Sequence, residues 1–155
     1  MNKDINFKKI SLHRGPESSP GFLLWHMSTA WRRSIEAILQ GFGLTHPQFV
    51  ILAALGWLTK NGDLVSQAAI GKMVCLDPNT TSQIIKGLEQ KGLVERQPSS
   101  DGRAKNPLLT FKGKEILIKA LPAVEAQDAQ FFDPLDANEM AGLIKIFQKL
   151  ALRKE

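Results

Sequence analysis

Apolar residues return every third or fourth position over most of this chain, and each such run is bounded by capping or turn residues. Phe22, Leu24, Trp25, Ser28, Trp31, Ile35, Ile38 and Leu39 carry that period as far as Gln40 and predict one long helix. Gly41-Phe42-Gly43 ends it, because glycine tolerates the left-handed conformation that closes a helix. Thr45-His46-Pro47-Gln48 then has the form of a capping box, with Thr45 as cap, Gln48 reaching back and Pro47 needing no amide donor. The helix behind it turns Phe49, Leu52, Leu55 and Leu58 inward and stops at Lys60-Asn61-Gly62-Asp63. Residues 1–20 lack the period, and with Gly15, Pro16 and Ser18-Ser19-Pro20 they predict a tail or arm.

Shorter units follow. Ser66 opens a helix through Ala68, Ala69, Ile70 and Met73 to Cys75. Asp77 caps the next one, Pro78 takes its first position, Ile84, Ile85 and Leu88 form its buried side, and Gly92 closes it. Two helices joined by so short a turn make a helix-turn-helix unit. Leu93 to Arg96 then alternates apolar and polar, and Asn106 to Thr110 returns beside it, with Pro107 restricting that strand to an edge. Asp101-Gly102 between them is a hairpin signal, so the pair reads as a two-stranded wing. Thr110 caps a long helix with a kink expected at Pro122, closed by Asp133-Pro134. Asp136 and Glu139 open a last amphipathic helix with Met140, Leu143, Ile144, Phe147 and Leu150 on one face. The predicted class is mainly α with a small β-hairpin, a winged helix-turn-helix domain flanked by N- and C-terminal helices.

Composition narrows the function classes. The 155 residues are 43% hydrophobic, enough for one globular core with helical extensions. No apolar run reaches the roughly 18 residues of a membrane span, and none follows the basic N-terminus, so neither an anchor nor a signal peptide is expected. A single cysteine excludes an internal disulfide framework and fits a reducing cytoplasm. The net charge of +5 is uneven: residues 83–119 hold 8 Lys/Arg against 4 Asp/Glu, net +4, whereas residues 120–155 hold 4 against 6, net −2. A polyanion is the partner that such a distribution fits.

The second helix of a helix-turn-helix unit enters the DNA major groove. Its solvent side here offers Asn79, Thr80, Ser82, Gln83 and Lys86. Asn and Gln can bond adenine bidentately, hydroxyls can bond either pair, and Lys86 can reach guanine or phosphate. Read alone, the Asn, Thr and Ser could equally be helix caps. The wing tips the balance, since an Arg on a thin hairpin can enter a narrow minor groove. Arg103 is that candidate, with Asp101 positioned to hold its guanidinium and Lys105 beside it. No nucleophile–base set, acid pair or phosphate loop is legible, so the chain is not expected to be an enzyme.

"LTHPQF" (44–49), "LDPNTTS" (76–82), "LEQKGLVER" (88–96) and "DGRAKNPLLTFKG" (101–113), in this order and spacing, resemble the MarR family of bacterial winged-helix regulators. The resemblance implies a cytoplasmic homodimer gripping a pseudo-palindromic operator on double-stranded DNA, and repression relieved by a small molecule or oxidant. Residues 21–43 and 111–155 would be dimerisation helices and 44–110 the DNA-binding domain. The recognition helix falls on 79–92, the wing Arg on Arg103 and its acid on Asp101. Gln83, Gly87 and Gly102 depart from the longer or charged residues frequent in the family, which shifts weight to phosphate contacts from Lys86, Lys91 and Lys105. The apolar Phe22, Leu24, Trp25, Trp31, Leu143, Phe147 and Leu150 exceed what one winged domain covers, and a second chain would bury them. A winged-helix module that binds protein and not DNA is the alternative.

An effector is expected where the dimer helices meet the winged domain. Trp25, His26, Thr29, Trp31, His46 and Phe49 are the candidate lining, for an aromatic or anionic molecule, with Arg32 and Arg33 nearby. Cys75 lies among Met73, Val74 and Leu76 and is expected in the core, not as an oxidant sensor. His13, His26 and His46 have no common helix face, so neither a metal nor another cofactor is expected.

Overall fold

The structure, a computed structural model, describes residues 5–98 and 105–152. Seven helices and one hairpin follow in order: α1 (Phe7–Ile10), a 3₁₀ turn (Pro16–Ser18), α2 (Pro20–Gln40), α3 (His46–Leu58), α4 (Gln67–Met73), α5 (Pro78–Gln90), β1 (Val94–Pro98), β2 (Lys105–Leu109), α6 (Phe111–Phe132) and α7 (Ala137–Ala151). Every cap read from the sequence is formed. Thr45 Oγ1 accepts from the Gln48 amide at 3.4 Å and Gln48 Oε1 from the Thr45 amide at 3.2 Å. Asp77 accepts from the Thr80 amide, Thr110 from the Gly113 amide, and Asp136 exchanges bonds with Glu139.

The core lies where α2, α3, α4, α5 and α6 converge. Ile35 and Leu39 of α2, Leu52 and Leu55 of α3, Ile70 of α4 and Ile85 of α5 are all fully buried. Each fully buried side chain of this size is worth about 1.5–3 kcal/mol relative to exposure, so these few set the mutual position of the helices. Helices α4 and α5 approach especially closely: a Cβ at Gly71 would stand 2.8 Å from Oγ1 of the buried Thr81. Strands β1 and β2 are antiparallel, with Val94 opposite Leu109 and Arg96 opposite Pro107.

Helix α6 extends 22 residues from Phe111 with Pro122 inside it. Three expectations change. The segment before α2 is not featureless, since α1 and the 3₁₀ turn lie within it, although neither buries a residue. Helix α4 stops at Met73, short of Cys75. Cys75 itself is exposed and adopts φ +54°, so it is not a core cysteine. The reason is the helix end. The Leu76 amide donates back to the Gly71 carbonyl at 3.0 Å, which forces the residue before it into the left-handed region and turns its side chain outward. Leu76, not Cys75, packs against the core.

Candidate nucleic-acid interface

Helix α5 has two unlike sides. Thr81, Ile85 and Leu88 are fully buried at spacings of four and three. Asn79, Gln83 and Lys86, also at four and three, are exposed on the opposite stripe. Ser82 is half-buried. Thr80 is partly engaged in the fold: its hydroxyl donates to Asp77 Oδ2 at 2.6 Å and its amide to Oδ1 at 2.9 Å. The Thr80 hydroxyl first, then its amide, holds the Asp77 carboxyl below its ordinary pKa, so the N-terminus of α5 carries a fixed anion. The helix therefore presents a short polar row of amides and one cation, aimed away from the core.

The wing is pinned to the far end of α5. Leu93 N–H closes on the Leu88 carbonyl at 3.0 Å, with Gly92 at φ +68°. Thr110 Oγ1 donates to the Gly92 carbonyl at 2.7 Å, and Arg96 Nε donates to Glu89 Oε1 at 2.9 Å. Asp101 and Arg103 lie outside the described residues, and of Lys105 only the backbone pairing with Pro98 is described. Lys91 sits at this same end. Its ammonium donates to the Gly43 carbonyl at 2.6 Å and to Gln48 Oε1 at 2.7 Å, so two of its three N–H groups tie α5 to the α2–α3 corner.

Two cavities divide the effector candidates, with Trp31 lining one and Phe49 the other. Trp25 and His26 are exposed, and the His26 ring stacks on Phe22 at 6.3 Å. Trp31 meets His46 edge-on at 5.1 Å, and its indole Nε1 donates to Asp128 Oδ1 at 2.7 Å. A cavity of about 340 Å³ opens on the other side of Trp31, between α2, α6 and α7. A wider groove of about 1040 Å³ runs between α3, α4, β2 and α6 and includes Phe49, Trp57, Lys60, Lys114 and Ile118. Thr29 lines neither. From α2, Leu24, Met27, Ser28 and Trp31 form the cavity wall, and of these Trp31 is an effector candidate.

A model described as the MarR family matches residues 44–105. The uncharacterized HTH-type transcriptional regulator YdcH of Bacillus subtilis is 36% identical over 119 residues, which span 76% of this chain and 81% of YdcH. The chain belongs to the MarR family. The HTH-type transcriptional repressor Rv2887 of Mycobacterium tuberculosis is 29% identical over 131 residues, 84% of this chain and 91% of Rv2887. The structure of Rv2887 in complex with DNA matches at a TM-score of 0.65 and 25% identity, over 86% of this chain and 98% of that one. Rv2887 has also been solved with salicylic acid. A MarR-family regulator from Rhodococcus sp. RHA1 shares the fold at a TM-score of 0.79 and 20% identity, over 93% and 100% of the two chains.

Sequence reasoning missed Asp128 and Glu89 as partners. The Trp31–Asp128 bond joins residues 97 apart, and nothing local in either segment signals it. Glu89 and Arg96 are seven apart across a turn, a spacing without a helical or strand rule.

Proposed function

We propose that this MarR-family chain is a DNA-binding transcriptional repressor that acts in the cytoplasm as a homodimer on a pseudo-palindromic operator. The observation that carries the reading is the exposed row Asn79, Gln83 and Lys86 on a helix whose opposite face is fully buried and whose end is braced to a wing. In this reading α5 enters the major groove. Gln83 and Asn79 read adenine edges, and Lys86 takes a guanine or phosphate. Arg103 enters the minor groove, with Asp101 orienting it and Lys105 on the adjoining phosphates. No catalytic step is assigned to the chain.

Dimerisation is supported by apolar surface with no cover within the chain. Phe22, Leu24, Trp25 and Met27 of α2 and Ile144, Ile146, Phe147 and Leu150 of α7 are exposed, and α7 buries no residue. Monomers do not keep contiguous apolar surface of that extent in water. A twofold pair sets the recognition helices about 34 Å apart, one turn of DNA. Residues 21–43 and 111–155 accordingly serve the dimer and 44–110 the DNA. An aromatic anion, the chemistry of salicylic acid, suits the groove between α3 and α6, whose apolar floor is flanked by two cations, Lys60 and Lys114, against one carboxylate, Glu125. Its binding would shift the winged domain against α6 and weaken DNA affinity.

Selection of bound fragments from a randomised duplex pool tests this directly. Recovery of an inverted repeat, weakened by Gln83→Ala and Arg103→Ala and with a steep salt dependence, is the expected result. Binding without sequence preference and indifferent to both substitutions would overturn it and leave a protein-interaction module.

A further inference from the structure

We infer that the cavity between α2, α6 and α7 is a second ligand site, one that takes an apolar amine. Its walls are apolar: Leu24 and Met27 of α2, Phe131 and Phe132 of α6, Leu143 and Phe147 of α7. At about 340 Å³ it holds a single ring with a short chain. Three polar side chains reach it, those of Ser28, Trp31 and Asp128. The Ser28 hydroxyl proton is committed to the Trp25 carbonyl at 3.1 Å, and the Trp31 indole N–H to Asp128 Oδ1 at 2.7 Å. What remains for a ligand is acceptor capacity only: the second carboxylate oxygen of Asp128 and the Ser28 oxygen lone pairs. Among the described residues Asp128 has no ion-pair partner.

Charge decides the class. A carboxylate ligand would place its charge beside Asp128 with no donor to receive it. An ammonium ligand would pair with Oδ2 while its apolar body filled the space between Phe131, Phe132 and Phe147. The preference is opposite to that of the groove flanked by Lys60 and Lys114, so the chain would hold two sites of opposite charge selectivity. Burial of α2 and α7 in a dimer would lower the local dielectric and sharpen the discrimination. The cavity also adjoins the joint with the winged domain, since the Trp31 ring that lines it meets His46, the first residue of α3, at 5.1 Å. The site's existence does not depend on the DNA reading; only its regulatory consequence rests on that reading.

The test uses the full-length protein without DNA and two probes of matched shape, 4-phenylbutylamine and 4-phenylbutyrate. Binding is measured by calorimetry on the wild type, on Leu143→Phe, which fills the cavity, and on Asp128→Asn. Only the binding removed by Leu143→Phe is counted, so occupation of the α3–α6 groove is read separately. The expected result is amine binding at least tenfold tighter than carboxylate binding, with the preference lost in Asp128→Asn. Equal or tighter carboxylate binding overturns the inference. So does an amine preference that Asp128→Asn leaves intact. Absence of any Leu143-sensitive binding overturns it too. The wild-type comparison against Leu143→Phe stands even where Asp128→Asn fails to fold, and Met27→Phe fills the same cavity from α2 where Leu143→Phe does not fold.

Discussion

Arg96 donates from Nε to Oε1 of Glu89 across 2.9 Å and so joins the first strand of the wing to the last turn of α5. Both side chains are largely buried, at 25% and 29% exposure, which places the pair between a solvated surface bridge and a core ion pair. Its loss costs stability modestly, about 1 kcal/mol. Its larger effect is orientation, because the two DNA-facing elements meet through it. Arg96→Met is expected to lower the urea midpoint slightly and operator affinity several-fold, with Glu89→Gln giving a milder form of both. Anisotropy titration of a labelled operator, beside urea denaturation, checks the pair. An affinity unchanged in Arg96→Met would mean that the backbone alone sets the wing angle.

The start of α6 is equally constrained, by backbone and not by charge. A Cβ at Gly113 would collide with the carbonyl oxygen of Leu93, and neither partner is a movable side-chain end. Gly113→Ala is therefore expected to destabilise by about 1–3 kcal/mol despite alanine's better helix propensity. Chemical denaturation reads the loss. A neutral or stabilised variant would show that α6 can pull away from β1 without cost.

Local signals in the sequence were sufficient for most of this fold. Thr45, Ser66, Asp77, Thr110 and Asp136 cap the helices they were expected to cap, because a cap is decided within four residues. The faces of α3 and α5 followed from periodicity in the main, although Thr81 is fully buried on α5 while Ile84 is half-buried, and Ile51 and Ala54 join the buried side of α3. Cys75 failed because its apolar neighbours describe composition, whereas its exposure is set by the backbone turn that buries Leu76. The effector residues are less legible. Periodicity on α2 ranks its sides by apolarity, but which side faces α6 and α7 depends on contacts such as Trp31–Asp128, far apart in the chain.

On the proposed reading, the exposed row on α5 makes two kinds of DNA contact. Lys86→Ala is expected to weaken all duplexes alike and to reduce the slope of log K against log salt by about 1, as loss of one phosphate contact does. Gln83→Ala is expected to leave that slope unchanged and to relax preference at one base pair by about 1–3 kcal/mol. Competition titrations at several salt concentrations, against single-base operator variants, distinguish them. Exchange of the two signatures would assign base reading to Lys86 and backbone contact to Gln83. Lys91→Ala, by contrast, is expected to change stability more than the salt slope, since its ammonium is held by Gly43 and Gln48.

His46 gives the joint between α2 and α3 a pH dependence. Burial is the main cause of its lowered pKa, the Arg32 guanidinium adds to it, and Glu36 and Asp128 oppose it. Between the folded pKa and the ordinary value of 6.5, the unfolded chain binds more protons than the folded one. The contribution of His46 to stability is therefore complete above that ordinary value and is lost as the pH falls through the window below it. Thermal midpoints measured from pH 7.5 down to 5.5 are expected to fall, and His46→Gln is expected to flatten that fall by removing the titrating group. Because the imidazole and the Trp31 ring meet in a T-shaped contact, protonation adds charge where α2 touches α3. An operator affinity that falls with pH in the wild type and not in His46→Gln would tie this joint to DNA binding. A profile identical in the two proteins would place the acid sensitivity elsewhere.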